Sequence, residues 1–265
     1  MNKIHYLLVS AFLLCAPHLF AQLTFTTHNI SSGASGAFDV FSTDIDDDGD
    51  MDVLSASYFD NTIALYLNDG EENFTAHIVS NTAEGAYSVY ATDLDNDGDK
   101  DILSASGLDD KIAWYENDGT ESFTEHVISS TADAAHAVYA LDVNGDGDMD
   151  VLSASLFDHK IAWYENDGSE IFTEHIITTD ADGAYDVFAI DLDNDSDIDV
   201  LSASYSDNKI AWYENDGAEN FTAHTVSISA SSARSVYAYD MDTDGDLDLL
   251  SASFGDDKVA WYEND

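Results

Sequence analysis

Residues 44–52 read DIDDDGDMD, and this acidic nonapeptide recurs four more times at a constant interval of 49 residues. The later copies are DLDNDGDKD at 93–101, DVNGDGDMD at 142–150, DLDNDSDID at 191–199 and DMDTDGDLD at 240–248. A fixed period of this length is typical of repeat architectures, in which each unit buries its apolar face against its neighbours. Aspartates at alternate positions around a glycine indicate oxygen ligands for a hard cation.

The same period extends outward from the acidic loops through residues 22–265. Three further markers recur in step: Phe-Thr-x-His at Phe25, Phe74, Phe123, Phe172 and Phe221; Ser-Ala-Ser at Ser55, Ser104, Ser153, Ser202 and Ser251; and Trp114, Trp163, Trp212 and Trp261, with Leu65 in the first copy. No linker interrupts the series, so we expect one domain of five repeats.

Each repeat contains four short β-rich runs, which in the second copy cover 74–80, 86–92, 101–106 and 111–116. Runs of this length, separated by Gly, Asn, Asp and Ser, predict a meander of antiparallel strands. Four strands in a unit of this size make one blade of a β-propeller. The sequence therefore predicts an all-β, five-bladed propeller.

The ends of the chain predict how the ring closes. The repeats start with the strand sequence Phe25-Thr-Thr-His28, and the sequence stops at Asp265, where a strand of that type would come next. We expect the N-terminal strand to complete the last blade, which leaves no open edge. A truncated larger propeller is the alternative, because the earlier repeats continue past Asn-Asp with a glycine.

The acidic loops predict one cation site per repeat. Side chains at positions 1, 3, 5 and 9 and the backbone carbonyl at position 7 would supply the oxygens, while Gly49 at position 6 permits the positive φ of the turn. The candidate ligands are Asp44, Asp46, Asp48, Asp50 and Asp52; Asp93, Asp95, Asp97, Asp99 and Asp101; Asp142, Asn144, Asp146, Asp148 and Asp150; Asp191, Asp193, Asp195, Asp197 and Asp199; and Asp240, Asp242, Asp244, Asp246 and Asp248. Acidic turns without a metal are the alternative, and mutual repulsion of the carboxylates argues against them.

Position 12 of the loops distinguishes between calcium-binding families. An EF-hand needs a bidentate glutamate there and continues into a helix, whereas each loop here has a serine of Ser-Ala-Ser within a strand. The D-x-[DN]-x-D-[GS]-x-x-D loops resemble those of the FG-GAP/VCBS-like repeat family, related to the propeller of integrin α-subunits, over residues 23–265. The resemblance implies up to five Ca²⁺ ions. A literal Phe-Gly…Gly-Ala-Pro is absent, which weakens the transfer of integrin-like ligand binding.

Two loops depart from the pattern. Asn144 removes a charge from the third loop, and Ser196 replaces the glycine of the fourth. We therefore expect these two sites to bind calcium more weakly than the others.

The first 21 residues are typical of a secretion signal. Lys3 precedes an apolar stretch from Ile4 to Cys15, and a cleavage site is predicted after Ala21. The stretch is shorter than the roughly 18 residues that a membrane-spanning helix needs. Cleavage would remove the only cysteine, Cys15, so the exported chain would depend on a stabiliser other than disulfides, such as bound metal.

The charge of the chain limits its partners. A formal net charge of −47 disfavours nucleic acid. Since 45% of the residues are apolar and regularly spaced, a packed core is expected in spite of that charge.

The face of the ring opposite the acidic loops differs from copy to copy. Its variable positions are Phe38, Tyr87, His136, Tyr185 and Arg234. The residues that directly follow them also vary, and they are, in the same order, Asp39, Ser88, Ala137, Asp186 and Ser235. Variation on a nearly constant scaffold predicts a ligand surface near the central channel, although drift in unconstrained loops would produce the same variation.

These features favour a secreted or cell-surface, calcium-stabilised module for binding or adhesion, with an extracellular protein or a surface glycan as partner. A lectin is one version of this hypothesis. A polysaccharide-cleaving propeller is the enzymatic alternative, with Asp39 and Asp186 as the candidate carboxylates, but no catalytic motif is recognised. The chain could also be part of a larger cell-surface protein. The repeated histidines and tryptophans are interpreted as packing or surface residues.

Overall fold

A computed structural model describes residues 25–264, which contain nineteen β-strands and no helix. The strands are β1 (Ala37–Thr43), β2 (Asp52–Ser57), β3 (Thr62–Asn68), β4 (Phe74–Ser80), β5 (Ala86–Thr92), β6 (Asp101–Ser106), β7 (Lys111–Asn117), β8 (Phe123–Ser129), β9 (Ala135–Leu141), β10 (Asp150–Ser155), β11 (Lys160–Asn166), β12 (Phe172–Thr178), β13 (Ala184–Ile190), β14 (Asp199–Ser204), β15 (Lys209–Asn215), β16 (Phe221–Ser227), β17 (Ala233–Tyr239), β18 (Asp248–Ser253) and β19 (Lys258–Tyr262). Within residues 25–264 no helix has the length and apolarity of a membrane span.

The strands form five antiparallel sheets, which we call blades one to five. Blades one to four each hold four consecutive strands, β1–β4, β5–β8, β9–β12 and β13–β16, and blade five holds β17–β19. The first strands of successive blades, β1, β5, β9, β13 and β17, pack against one another, so they are the innermost strands. The all-β repeat of four-stranded antiparallel sheets expected from the sequence is confirmed.

The hydrophobic core lies between neighbouring blades. Between blades one and two, for example, Leu54 and Leu65 pack against Val89 and Ile102, all of them buried. The small Ser-Ala-Ser residues lie in the second strand of each blade, where the Ser104 hydroxyl is 3.3 Å from the Tyr115 hydroxyl of the third strand. Because both faces of these strands are covered, the buried hydroxyls need such partners.

The two ends of the series of blades remain uncovered. Val40 of blade one is 67% exposed, whereas the equivalent Val89 of blade two is 3% exposed. At the other end, Val259 of blade five is 81% exposed, whereas the equivalent Ile210 of blade four is fully buried. The face of blade one that lacks a preceding blade and the face of blade five that lacks a following one are therefore both open.

The expected closing strand is not formed in this arrangement. Residues 25–36 hold no strand, Phe25 is 93% exposed, and β19 has a free edge in its three-stranded sheet. The N-terminal segment instead lies near blade one, where His28 Nδ1 is 3.5 Å from Glu72 Oε2. Pairing of the N-terminal segment with β19 requires blades one and five to be in contact. Their exposed faces show that they are not in contact in this arrangement.

Candidate functional site

All five acidic loops connect the first strand of a blade to its second, at one end of the blades that we call the acidic face. In the first loop the Gly49 amide donates to Asp44 Oδ2 at 3.0 Å, and the Asp50 amide donates to Asp48 Oδ1 at 2.9 Å. The equivalent two bonds form in the other four loops. The aspartate side chains therefore fold the loop through its own backbone, as short polar side chains do in turns.

The aspartate at position 9 joins each loop to its blade. Asp101 is 1% exposed and accepts hydrogen bonds from the Leu94 amide at 2.9 Å and from the Asn117 amide at 2.8 Å. Burial raises the pKa of Asp101 to about 7, even though both amide bonds lower it. Burial likewise raises the pKa of Asp150 to about 6. A cation beside such a carboxylate favours its ionised form.

Four of the five loops bring three carboxylates together, each within 4.8 Å of the others. Asp44 Oδ1 and Asp93 Oδ1 are buried without a hydrogen-bond donor among residues 25–264, which is costly for a carboxylate unless a cation binds there. An all-oxygen donor set of this size fits calcium. The groups are Asp44, Asp46 and Asp48; Asp93, Asp95 and Asp101; Asp191, Asp193 and Asp199; and Asp240, Asp242 and Asp248.

The loops differ in whether Oδ1 of their first aspartate accepts a hydrogen bond. In the third loop Asp142 Oδ1 accepts the Gly145 amide at 2.8 Å, and the Asn144 side-chain amide donates to Asp146 at 2.9 Å. In the fourth and fifth loops the equivalent Oδ1 accepts one backbone amide, at 3.1 and 2.7 Å. Only the first two loops, among residues 25–264, leave this oxygen free and buried.

Position 7 of the loops has a packing role that the sequence did not reveal. The side chain of Asp50 lies against Gly70 of the Asn-Asp-Gly turn, so that a Cβ on Gly70 would be 2.4 Å from Asp50 Oδ2. Asp99, Asp148 and Asp197 lie in the same way against Gly119, Gly168 and Gly217. The glycine is therefore required by close approach as well as by its positive φ. Ligation by the position 7 carbonyls stays a prediction.

The repeated histidines and tryptophans pack on the outer strands. His126 stacks on Trp114 with a ring separation of 4.6 Å, and its Nε2 is 2.8 Å from Glu116. Blades three and four repeat this group with His175, Trp163 and Glu165, and with His224, Trp212 and Glu214. The first two tryptophans are buried, so they fill the core between blades.

The five variable residues come together at the opposite end, which we call the aromatic face. Ring centroids are 4.7 Å apart for Phe38 and Tyr87, 4.3 Å for Tyr87 and His136, and 3.6 Å for His136 and Tyr185. With Arg234 they line a cavity of about 340 Å³. Burial, together with the nearby charge of Arg234, lowers the pKa of His136 to about 4, so this imidazole is neutral at pH 7.

The sequence missed other residues of this cavity. Leu156 and Tyr205 complete its wall, and Phe254 packs against Arg234. All three directly follow Ser-Ala-Ser in their repeats. The variability of that position was the available signal, because Tyr58, Gly107, Leu156, Tyr205 and Phe254 occupy it.

The residues that directly follow the variable positions Phe38, Tyr87 and Tyr185 connect neighbouring blades. Asp39 Oδ2 accepts the Val89 amide at 3.0 Å, and Asp186 Oδ2 accepts the Val236 amide at 3.0 Å. The Ser88 hydroxyl accepts the Val138 amide at 3.4 Å. These carboxylates and this hydroxyl thus satisfy backbone donors of the next innermost strand.

Comparison with known proteins agrees with this architecture. A structure of a functionally unknown protein from Desulfotomaculum acetoxidans has a TM-score of 0.57 at 13% identity, covering 86% of this chain and 69% of that one. A candidate 6-phosphogluconolactonase from Bacteroides uniformis has a TM-score of 0.57 at 16% identity, covering 81% and 64%. The V. cholerae biofilm matrix protein Bap1 has a TM-score of 0.53 at 18% identity, covering 87% and 38%.

At these identities the likeness is one of fold, and the chain spans only part of each of these structures. No curated protein matches the sequence. The FG-GAP-like repeat matches residues 44–104, 93–153, 142–202 and 191–251, which together cover more than half of the chain. The chain therefore belongs to the FG-GAP-like repeat family.

Proposed function

We propose that this protein is a secreted, calcium-stabilised β-propeller module that binds an extracellular protein or a surface glycan without catalysis. The observation that carries the proposal is the division between the two faces. The acidic face repeats almost unchanged, whereas the aromatic face gathers its five variable side chains into one cavity. Aromatic walls with a few polar groups are typical of ligand sites.

Calcium would act on the fold rather than on a ligand, with up to five ions, one per acidic loop. The orphaned oxygens of Asp44 and Asp93 support ion binding, and the loops lie at the opposite end of the strands from the aromatic cavity. An ion would also offset the repulsion within each group of aspartates.

Adhesion is the version of binding that the comparisons support, because the similar fold of Bap1 occurs in a biofilm matrix protein. Catalysis receives less support from the site. Asp39 and Asp186, the candidate carboxylates of an enzyme, each hold the backbone amide of a neighbouring blade. Their position is explained by that structural role.

Export depends on residues 1–21, which lie outside the described residues. The proposal rests there on Lys3, on the apolar stretch that follows it and on the cleavage site after Ala21. N-terminal sequencing of the protein recovered from the culture medium tests it, and a product starting at Gln22 is expected.

We also propose that the N-terminal segment closes the propeller by pairing with β19. Blade five has Trp261 and Glu263 but no histidine strand, and Phe25-Thr-Thr-His28 carries that strand's sequence. In blade two, Trp114 is opposite His126 and Glu116 is opposite Thr124. The same register would place Trp261 opposite His28 and Glu263 opposite Thr26.

Cysteine cross-linking tests this closure, since the chain after residue 21 has no cysteine of its own. The pair Glu263→Cys and Thr26→Cys should cross-link within one chain under oxidation, while Glu263→Cys with Thr124→Cys in the distant blade two should not. Cross-linked dimers would show that a second copy supplies the strand, and the absence of any cross-link would reject the pairing.

Binding to arrayed glycans and extracellular proteins, with calcium and with a chelator, tests the function itself. Tyr87→Ala on the aromatic face should abolish binding, because it removes a central wall of the cavity. Thr124→Ala, on the exposed outer strand β8, is the matched control and should bind normally. Equal binding by both variants would place the ligand surface elsewhere, and turnover of any bound glycan would revive the enzymatic alternative.

A further inference from the structure

Arg234 is the only arginine of the chain and lies on the aromatic face. Every lysine among residues 25–264 has a carboxylate within ion-pair distance. Arg234 has no such partner within those residues, although the chain has 54 acidic residues. Among residues 25–264 Arg234 is therefore the one Lys or Arg side chain without a carboxylate partner, which makes it a specific feature of this cavity.

The aromatic rings hold the Arg234 side chain in place. Its guanidinium carbon is 4.3 Å from the ring centroid of Phe254, 5.1 Å from that of Tyr185 and 5.7 Å from that of Tyr205. These contacts are within the range of cation–π interactions. They orient the guanidinium without accepting its hydrogen bonds.

The Arg234 side chain makes no hydrogen bond with any of residues 25–264. Its Nε is buried without an acceptor, and a buried donor without a partner is costly. The adjacent carboxylate of Asp186 is bound to the Val236 amide at 3.0 Å and makes no ion pair with the guanidinium. An oriented guanidinium with free N–H groups is suited to a carboxylate, which it can bind through two parallel hydrogen bonds.

The other residues of the cavity limit the class of ligand to which that carboxylate could belong. Phe38, Tyr87 and Tyr185 present aromatic surface in a space of about 340 Å³, which suits the apolar face of one or two sugar rings. A net charge of −47 repels dense polyanions at long range. The site therefore suits a sugar with one carboxylate per ring rather than a sulfated or phosphorylated chain.

We propose that the aromatic cavity binds a sugar acid of the uronate type, with its carboxylate on Arg234 and its ring against the aromatic side chains. This inference rests on the proposed binding function and names the chemical class of its ligand. Free sugar acids and uronate residues of an acidic polysaccharide share this chemistry.

Calorimetry on the full exported protein, loaded with calcium, tests the proposal with trigalacturonate and with its methyl ester, which has the same rings without the charge. The acid should bind at least about tenfold more tightly than the ester, because charged hydrogen bonds are the stronger ones. Monomeric galacturonate binding as tightly as the trimer would identify a free sugar acid as the ligand. Tighter binding of the trimer would identify the polysaccharide.

Three variants test whether the preference for the acid depends on Arg234. Arg234→Gln should remove the preference for the acid, while Lys258→Gln, an exposed cation of the same blade, should retain it. Arg234→Lys keeps the charge but loses the two-pronged geometry, so it should retain only part of the preference. Thermal melting of each variant establishes that it is folded, and the comparison of acid with ester in the unmodified protein does not depend on any variant.

Equal affinity for acid and ester, no binding of either, or a preference that survives Arg234→Gln would overturn the proposal. A neutral glycan or a protein bound at the aromatic face, with loss of binding in Tyr87→Ala but not in Arg234→Gln, would overturn this inference alone. The proposed binding function would then stand. Failure of every arrayed ligand to bind would reject both.

Discussion

The carboxylate of Asp39 in blade one accepts a hydrogen bond from the backbone amide of Val89 in blade two, at 3.0 Å. The same carboxylate accepts the Ser88 hydroxyl at 3.2 Å and the Val40 amide at 2.9 Å. One side chain thus joins the innermost strands of two neighbouring blades. Asp186 repeats this arrangement between blades four and five.

Asp39→Ala should destabilise the protein by about 1–3 kcal/mol, since the Val89 amide loses its acceptor in a buried strand. Asp39→Asn keeps an oxygen at the same place and should cost less. Urea unfolding measures both variants. Equal destabilisation by the two would mean that the charge, rather than the hydrogen bond, couples the blades.

Ser196→Gly should stabilise the fourth loop. Ser196 has a φ of 82°, in the region that favours glycine, and the four equivalent glycines have φ from 97° to 105°. The gain should be about 1 kcal/mol at most, because glycine also gains freedom in the unfolded chain. The reverse change, Gly98→Ser, should destabilise the second loop. Thermal melting of the two variants should move in opposite directions.

Removal of calcium should lower the melting temperature. Each site that binds calcium would contribute about 2.7 kcal/mol when the free ion is at 100 times its dissociation constant. Titration with a chelator while melting is monitored measures the effect. An unchanged melting temperature would contradict structural calcium in all five loops.

The loops should differ in affinity. Asp44→Asn should remove a tight site, because Asp44 Oδ1 is buried and free of hydrogen bonds. Asp142→Asn should change binding less, because Asp142 Oδ1 already accepts the Gly145 amide. Calorimetric titration of the two variants against the parent protein compares them. Five equivalent sites in the parent would reject the ranking.

Stability should respond to the pH through Asp186. Burial raises its pKa from 3.8 to about 6, partly opposed by its hydrogen bonds to Val236, Ser235 and Val187. The folded state therefore binds this proton more tightly than the unfolded chain. The resulting stabilisation is fully present below about pH 3.8 and is lost as the pH rises through about 6.

Asp186→Asn isolates this effect, because asparagine does not titrate. The difference in unfolding free energy between the parent protein and Asp186→Asn should shift in favour of the variant between pH 4 and pH 7. Urea unfolding at several pH values measures it. A difference that is constant across this range would place the titration elsewhere.

Much of the fold followed from the sequence because its signals are local. The alternation in 74–80 and 86–92 predicted β4 and β5 to the residue, since strand periodicity needs only neighbouring side chains. The aspartate spacing likewise predicted the grouping of Asp93, Asp95 and Asp101, because a short loop brings its alternate side chains inward. The contacts of Asp50 with Gly70 and of Asp39 with Val89 were not predictable, since their partners belong to other segments.

The repeat, its four-strand unit and the oxygen-rich loops can all be inferred from the amino-acid sequence, because each depends on spacing within a few tens of residues. Whether the two ends of the repeat make contact, and what the variable residues form, depends on the tertiary structure. Closure by Phe25–His28 requires blades one and five to approach, and their faces remain open. The cavity around Arg234 exists because residues 49 positions apart converge on one centre, and no local pattern specifies which side chains touch there.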